Sequence, residues 1–119
     1  MRPIVLAGIS GALAIVTGAF GAHALRGKVD DRMAKVWETA SHYHLVNSVA
    51  MLVAAKMVKE VPGGAAAQPR NLPVTLFAAG ITLFSGSLYA MVLTGETKLG
   101  MITPIGGFTL IAAWLSLIF

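Results

Sequence analysis

"PIVLAGISGALAIVTGAFGAHAL", residues 3–25, contains no Asp, Glu, Lys or Arg. A helix needs about 20 mainly apolar residues to cross a hydrocarbon core of roughly 30 Å, so this stretch alone is long enough to span a bilayer. The rest of the chain has the same character. Of 119 residues, 56% are hydrophobic and only 12% charged, where a soluble domain carries about 25% charged residues. Leu72 to Gly95 and Leu99 to Phe119 are also uncharged, and Thr39 to Ala55 is uncharged but shorter and runs into Lys56. The expectation is an all-α, multi-pass integral membrane protein. It is a single domain over 1–119, a four-transmembrane-helix bundle with spans near 3–25, 39–61, 72–95 and 101–119.

Two rival readings are weaker. Ala22-His23-Ala24 fits the small-residue pattern of a signal-peptide cleavage site, but the apolar run before it exceeds the ~7–15 residues of such signals. A soluble helical domain this small would have too few polar side chains to cover its surface.

The chain has no cysteine, which excludes disulfides, thiolate metal sites and cysteine nucleophiles. Its nine basic residues give a net charge of +4 but are scattered over the ends and connecting segments. A nucleic-acid surface needs a basic stripe, so lipid headgroups are the expected partners and nucleic acid is not. Arg2, Lys56, Lys59 and Arg70 fall on one side of a four-span topology, and Arg26, Lys28, Arg32, Lys35 and Lys98 on the other. Four against five does not select an orientation by the positive-inside rule.

The first span carries Ala7, Gly11, Ala14, Gly18 and Gly21 on one face. Small residues let membrane helices approach closely, because hydrophobicity does not drive association between helices already in lipid. Similar stripes occur at Thr75, Ala79, Thr82, Gly86 and Ala90 and at Gly106, Thr109, Ala113 and Ser116. Gly11, Ala14, Gly18, Gly21, Gly86 and Gly106 are therefore the expected packing contacts. Asp30 or Asp31 suits the N-cap of a long second helix. Continued to Glu60, that helix would be about 45 Å long at ~1.5 Å per residue, so its first turns lie at or beyond the membrane surface. "VPGGAAAQPRNLP", residues 61–73, reads as a linker. Gly95 suits a left-handed cap, and in "ITPIGG" Thr103 suits a cap with Pro104 in the first helical turn.

"ASHYHLVNS", residues 40–48, concentrates polar side chains where the second helix enters lipid. Trp37 and Tyr43 are expected at the membrane interface, where amphipathic rings meet both apolar and wet surroundings. Ser41, His44 and Ser48 share a face and can hydrogen-bond to another helix, and Glu38 and His42, four apart, can pair. Asn47 and His23 complete the candidate polar cluster. His23 closes the first span and His44 opens the second, so paired imidazoles holding a metal or haem are one alternative.

At "GAFGAHAL", "TASHYHLVNSVAML", "LFSGSLYAMVLTG" and "ITPIGG" the chain resembles the YgdD-like family of small integral membrane proteins of uncharacterised function. The resemblance touches all four spans in order. It implies four helices and no assigned reaction or cofactor.

From the residues themselves no nucleophile–base–orienter set, paired carboxylates, phosphate-binding loop or zinc spacing can be assembled. Lys56 can snorkel to the surface. The expectation is a non-enzymatic module without cofactor that binds membrane lipids, forms a homo-oligomer or supports a larger membrane complex. The alternatives are an oligomeric pore or transporter and a histidine-ligated redox protein.

Overall fold

A computed structural model describes residues 2–60 and 71–118, the side chains of 58–60 excepted. The expected linker lies mostly outside the described residues. Four α-helices follow one another: α1 (Pro3–His23), α2 (Asp31–Glu60), α3 (Leu72–Thr94) and α4 (Thr103–Ser116), with a 3-10 turn at Thr97–Met101. Among the described residues three helical stretches are long and apolar enough to cross a membrane: α1, α3, and Thr97–Ser116.

The helix ends follow from local chemistry. Asp30 Oδ1 accepts from the Met33 N–H at 2.8 Å, so Asp30 caps α2 and Asp31 adds negative charge to its first turn. α3 stops at Gly95, whose φ of 74° is the left-handed conformation that glycine adopts without a Cβ clash. At α4 the expectation needs correcting. Thr103 is the first helical residue and does not cap the helix, because its hydroxyl is 2.6 Å from Ser87 Oγ on α3. Pro104 sits in the first turn, where its missing N–H costs nothing.

Packing follows chain order: α1 on α2, α2 on α3, α3 on α4. The core places large side chains against small ones, with Phe77, Met51 and Ile81 among Ala7, Ala50, Ala54, Ala55 and Ala113. This arrangement corrects the stripe read along α3. Thr75, Ala79 and Thr82 face outward, while Val74, Phe77, Gly80, Ile81, Ser85 and Leu88 are buried. α3 contributes bulk at Phe77 and Ile81, and a small surface at Gly80 that receives Leu110 of α4.

The glycines of the expected seams divide into two groups. A Cβ on Gly21 would collide with the Trp37 indole, and one on Gly106 with the backbone of Leu83 and Phe84. Gly11, Gly18 and Gly86 border open space, with nothing within 4 Å of a built Cβ. Ala7 and Ala14 are buried. Close approach thus occurs at Gly21 for α1–α2 and at Gly106 for α3–α4.

Gly106→Ala forces backbone from backbone and should cost about 1–3 kcal/mol, the range of overpacking. Gly11→Ala meets no atom and relieves a helical glycine, so it should be neutral or stabilising by up to about 1 kcal/mol. Thermal melting of both variants in one detergent measures the contrast, and equal melting temperatures would contradict it.

Candidate functional site

The polar cluster is built from three helices and lies deeper than the entrance of α2. Two contacts fix the register of α1 against α2: Trp37 on Gly21, and Ser10 Oγ to Ser48 Oγ at 2.6 Å. In that antiparallel register His44 is level with Ala14. Tyr89 of α3 reaches between the two helices, its hydroxyl 2.8 Å from Thr17 Oγ1 and 3.0 Å from His44 Nδ1. Ser48 donates to the His44 carbonyl at 2.6 Å, and Ser85 donates to the Ala40 carbonyl at 2.7 Å. Among the described residues no buried side-chain nitrogen or oxygen lacks a partner. At membrane depth each unsatisfied group would cost several kcal/mol, because water is absent.

The expected site residues therefore separate. His44, Asn47 and Ser48 are buried, whereas Glu38, His42 and His23 are exposed. Ser41 donates only to its own helix, to the Glu38 carbonyl at 3.2 Å. His42 lies edge-on to Tyr43, and Glu38 and His42 form no ion pair. His23 and His44 do not meet. With His44 level with residue 14, the two are separated by about 13 Å along the helix axis at ~1.5 Å per residue. Among the described residues no three His, Asp or Glu side chains gather as a metal site.

Trp37 packs between helices at the level of Gly21, near the end of α1. It is 5% exposed, its Nε1 donates to the Thr17 carbonyl at 2.7 Å, and its ring lies between Phe20 and Tyr89 at 5.5 and 4.6 Å. It is a wedge between helices, and the absence of a side chain at Gly21 makes room for it. Tyr43 is 44% exposed and stacks on Phe84 at 4.8 Å. Asn47 donates to the Tyr43 carbonyl and accepts from Trp114 Nε1 at 3.0 Å, which ties α2 to α4.

Ser10, Thr17, Ser85, Tyr89 and Trp114 were not among the residues expected at the site. One pattern pointed to the first pair: before His23 at its end, Ser10 and Thr17 are the polar side chains of the first apolar run, and they lie seven apart on one helical face. The remaining three become visible only through the packing of α3 and α4.

Apolar helices tied by internal hydrogen bonds define a small multi-pass, all-helical integral membrane protein. Residues 17–107 match the family described as "Protein of unknown function (DUF423)", and the chain belongs to that family. It is 43% identical over 115 residues to the UPF0382 membrane protein SAB0533 of Staphylococcus aureus (strain bovine RF122 / ET3-1), covering 97% of this chain and 90% of the relative. It is 38% identical over 115 residues to the UPF0382 membrane protein YwdK of Bacillus subtilis (strain 168), covering 97% and 91%. No solved structure matches the chain.

Thr17→Val and Tyr89→Phe each delete one hydroxyl and keep the shape. Both should lower the melting temperature in detergent. The double-mutant cycle should give a coupling of about 0.6–1.7 kcal/mol, the average-to-maximum range for hydrogen bonds between membrane helices. Strict additivity would show that the two hydroxyls do not act together.

Proposed function

We propose that the protein is a YgdD-like, non-catalytic membrane module of four spans that works by contact with lipid and by association with further copies or larger membrane complexes. The observation supporting this most directly is the sorting of side chains on α2. Its polar groups His44, Asn47 and Ser48 turn inward, and Leu45, Val46, Val49, Leu52 and Val53 face outward, each more than two-fifths exposed. An outward face of that composition suits lipid, although the inward polar groups lower the mean hydropathy of the helix. The uncharged stretch 39–55 covers about 25 Å at ~1.5 Å per residue, and Lys56 can complete the crossing by snorkelling. α1 and α4 present similar faces, with Ile15 65% and Phe108 73% exposed. The polar interior is spent on holding helices together, which favours a binding or scaffolding role over catalysis.

The absence of native cysteine makes the topology directly testable. With four spans, Lys28→Cys and Lys98→Cys lie on the same side of the membrane, and a membrane-impermeant thiol reagent added to oriented vesicles should modify both or neither. If α2 does not cross, the two report opposite sides.

A further inference from the structure

We infer that the outer seam between α1 and α2 binds a zwitterionic glycerophospholipid whose headgroup joins a phosphate to a primary ammonium. The inference rests on the reading of the protein as a lipid-contacting module and specifies which lipid that module holds. Two cavities lie side by side along this seam and share Gly18, Glu38 and Ser41. The first is bounded by Leu25, Arg26 and Asp31, at the end of α1 and the start of α2. The second continues to Ala14, Ile15 and Leu45 and has Lys35 on its rim. Neither is lined by α3 or α4, so both open on the outside of the bundle. Together they form one groove that is charged at one end and apolar at the other.

The groove exists because, beside the Trp37 wedge, the seam sets small residues against each other. A Cβ built on Gly18 would meet no atom within 4 Å, and Ala22, Ala34 and Ser41 add little volume around it. Its depth follows from the charges. The uncharged run of α1 ends at Arg26, and Glu38 is the last charged residue of α2 before the uncharged run 39–55. The charged end therefore sits at headgroup level. From Glu38 to Leu45 the groove continues about 10 Å along α2, at ~1.5 Å per residue, into the level of the acyl chains. A bilayer lipid meets the two ends in the order in which it carries its own headgroup and chain.

Charge selects the headgroup. Arg26 and Lys35 bring two positive charges to the groove, and Asp31 and Glu38 two negative ones. All four side chains are exposed, and among the described residues none of them forms an ion pair or a side-chain hydrogen bond. A purely anionic headgroup would set its phosphate against two carboxylates as well as two cations, whereas a zwitterion offers each sign a partner. Carboxylates only accept hydrogen bonds. A primary ammonium brings three N–H donors to Asp31 and Glu38 in charge-assisted bonds, and a quaternary ammonium brings none. The phosphate falls to Arg26, whose planar guanidinium can hold two of its oxygens at once.

The test uses the whole protein in phosphatidylcholine vesicles and three photoreactive phospholipid probes. They carry the same acyl chains, with a diazirine close to the glycerol backbone, and differ only in headgroup: ethanolamine, choline or glycerol. Residues lining the seam should be labelled about fivefold more by the ethanolamine probe than by either other probe, the ratio that one net hydrogen bond supplies. Glu38→Gln removes a carboxylate that forms no bond within the protein. It should bring the ethanolamine probe down to the choline level while melting stays at the parent's value. Gly18→Leu fills the groove and should abolish labelling of the seam by all three probes. Equal labelling by the three, stronger labelling by the glycerol probe, or an ethanolamine preference that persists in folded Glu38→Gln overturns the inference. Seam labelling that survives in folded Gly18→Leu does the same. So does displacement of the probe by millimolar glycerophosphoethanolamine, which would assign the groove to a soluble ester. A seam that no probe labels belongs to a second copy and also overturns it. The module reading survives each of these results if the probes still mark the outward faces of α1 and α4, and no labelling of any span overturns both. If either variant melts early, the comparison of the three probes on the parent protein decides alone.

Discussion

The wedge of Trp37 into α1 sets the rest of the structure. An indole needs space that only a residue without a side chain leaves, and Gly21 provides it. The Nε1–H then needs an acceptor away from water, and the Thr17 carbonyl is within reach at 2.7 Å. With both conditions met, the two helices cannot slide. Every later pairing of α1 with α2 follows from that register, including Ser10 with Ser48. Tyr89 meets Thr17 and His44 together only because those two residues have been brought to one level. Shifting α2 by one turn, about 5.4 Å, would strand the indole, the serine pair and the imidazole at once.

Absence of water governs the remaining polar side chains. Thr17, Ser48, Thr82, Ser87, Thr94, Thr109 and Ser116 each donate to a carbonyl three or four residues back on their own helix. That local bond satisfies the proton without a partner helix. Some of these oxygens then also accept from another helix, as Ser48 does from Ser10. A hydroxyl in a span therefore does two jobs: it hides its own proton locally and offers a lone pair to a neighbour. Ser85 differs, since its proton crosses directly to the Ala40 carbonyl, where α2 and α3 are in close contact.

Much of the architecture was legible because helix boundaries depend on local chemistry. Asp30, Gly95 and the prolines at positions 3, 73 and 104 act within a few residues of themselves, and uncharged length suffices to mark α1 and α3. Pairing between helices was not legible. Gly18 and Gly21 look equivalent on a periodic face, yet only Gly21 meets an indole, and nothing within α1 reveals where Trp37 will fall. Trp37 and Tyr43 were likewise both suited to the interface by ring chemistry. They differ because one points into α1 and the other lies over Phe84. The polar stretch 40–48 showed that α2 carries hydrogen-bonding groups, but their partners Tyr89 and Trp114 lie far along the chain. Thr75, Ala79 and Thr82 of the small-residue stripe on α3 proved to be exposed, while the buried face sets Phe77 and Ile81 beside Gly80 and Ser85, and periodicity alone does not distinguish receiving a side chain from supplying one.

The two flanks of the central α2–α3 pair show how side-chain volume decides where a membrane bundle opens. On the α4 flank, Trp114 reaches back to Asn47 while its ring meets Phe77 edge-on at 5.5 Å, and one large residue bridges both central helices. On the α1 flank no residue of that size stands at the level of Gly86. Thr82, Gly86 and Tyr89 line one groove with Ser10, Leu13 and Thr17, and Tyr89 crosses it to Thr17 of α1. Below that tyrosine the helices are held apart by their common packing on α2, so small residues there leave a gap. On α1–α2 a glycine faces an indole and the gap is filled; on α1–α3 glycine faces no large partner and the groove remains. The same residue type thus closes one helix pair and opens another, according to what the opposing helix brings to its level.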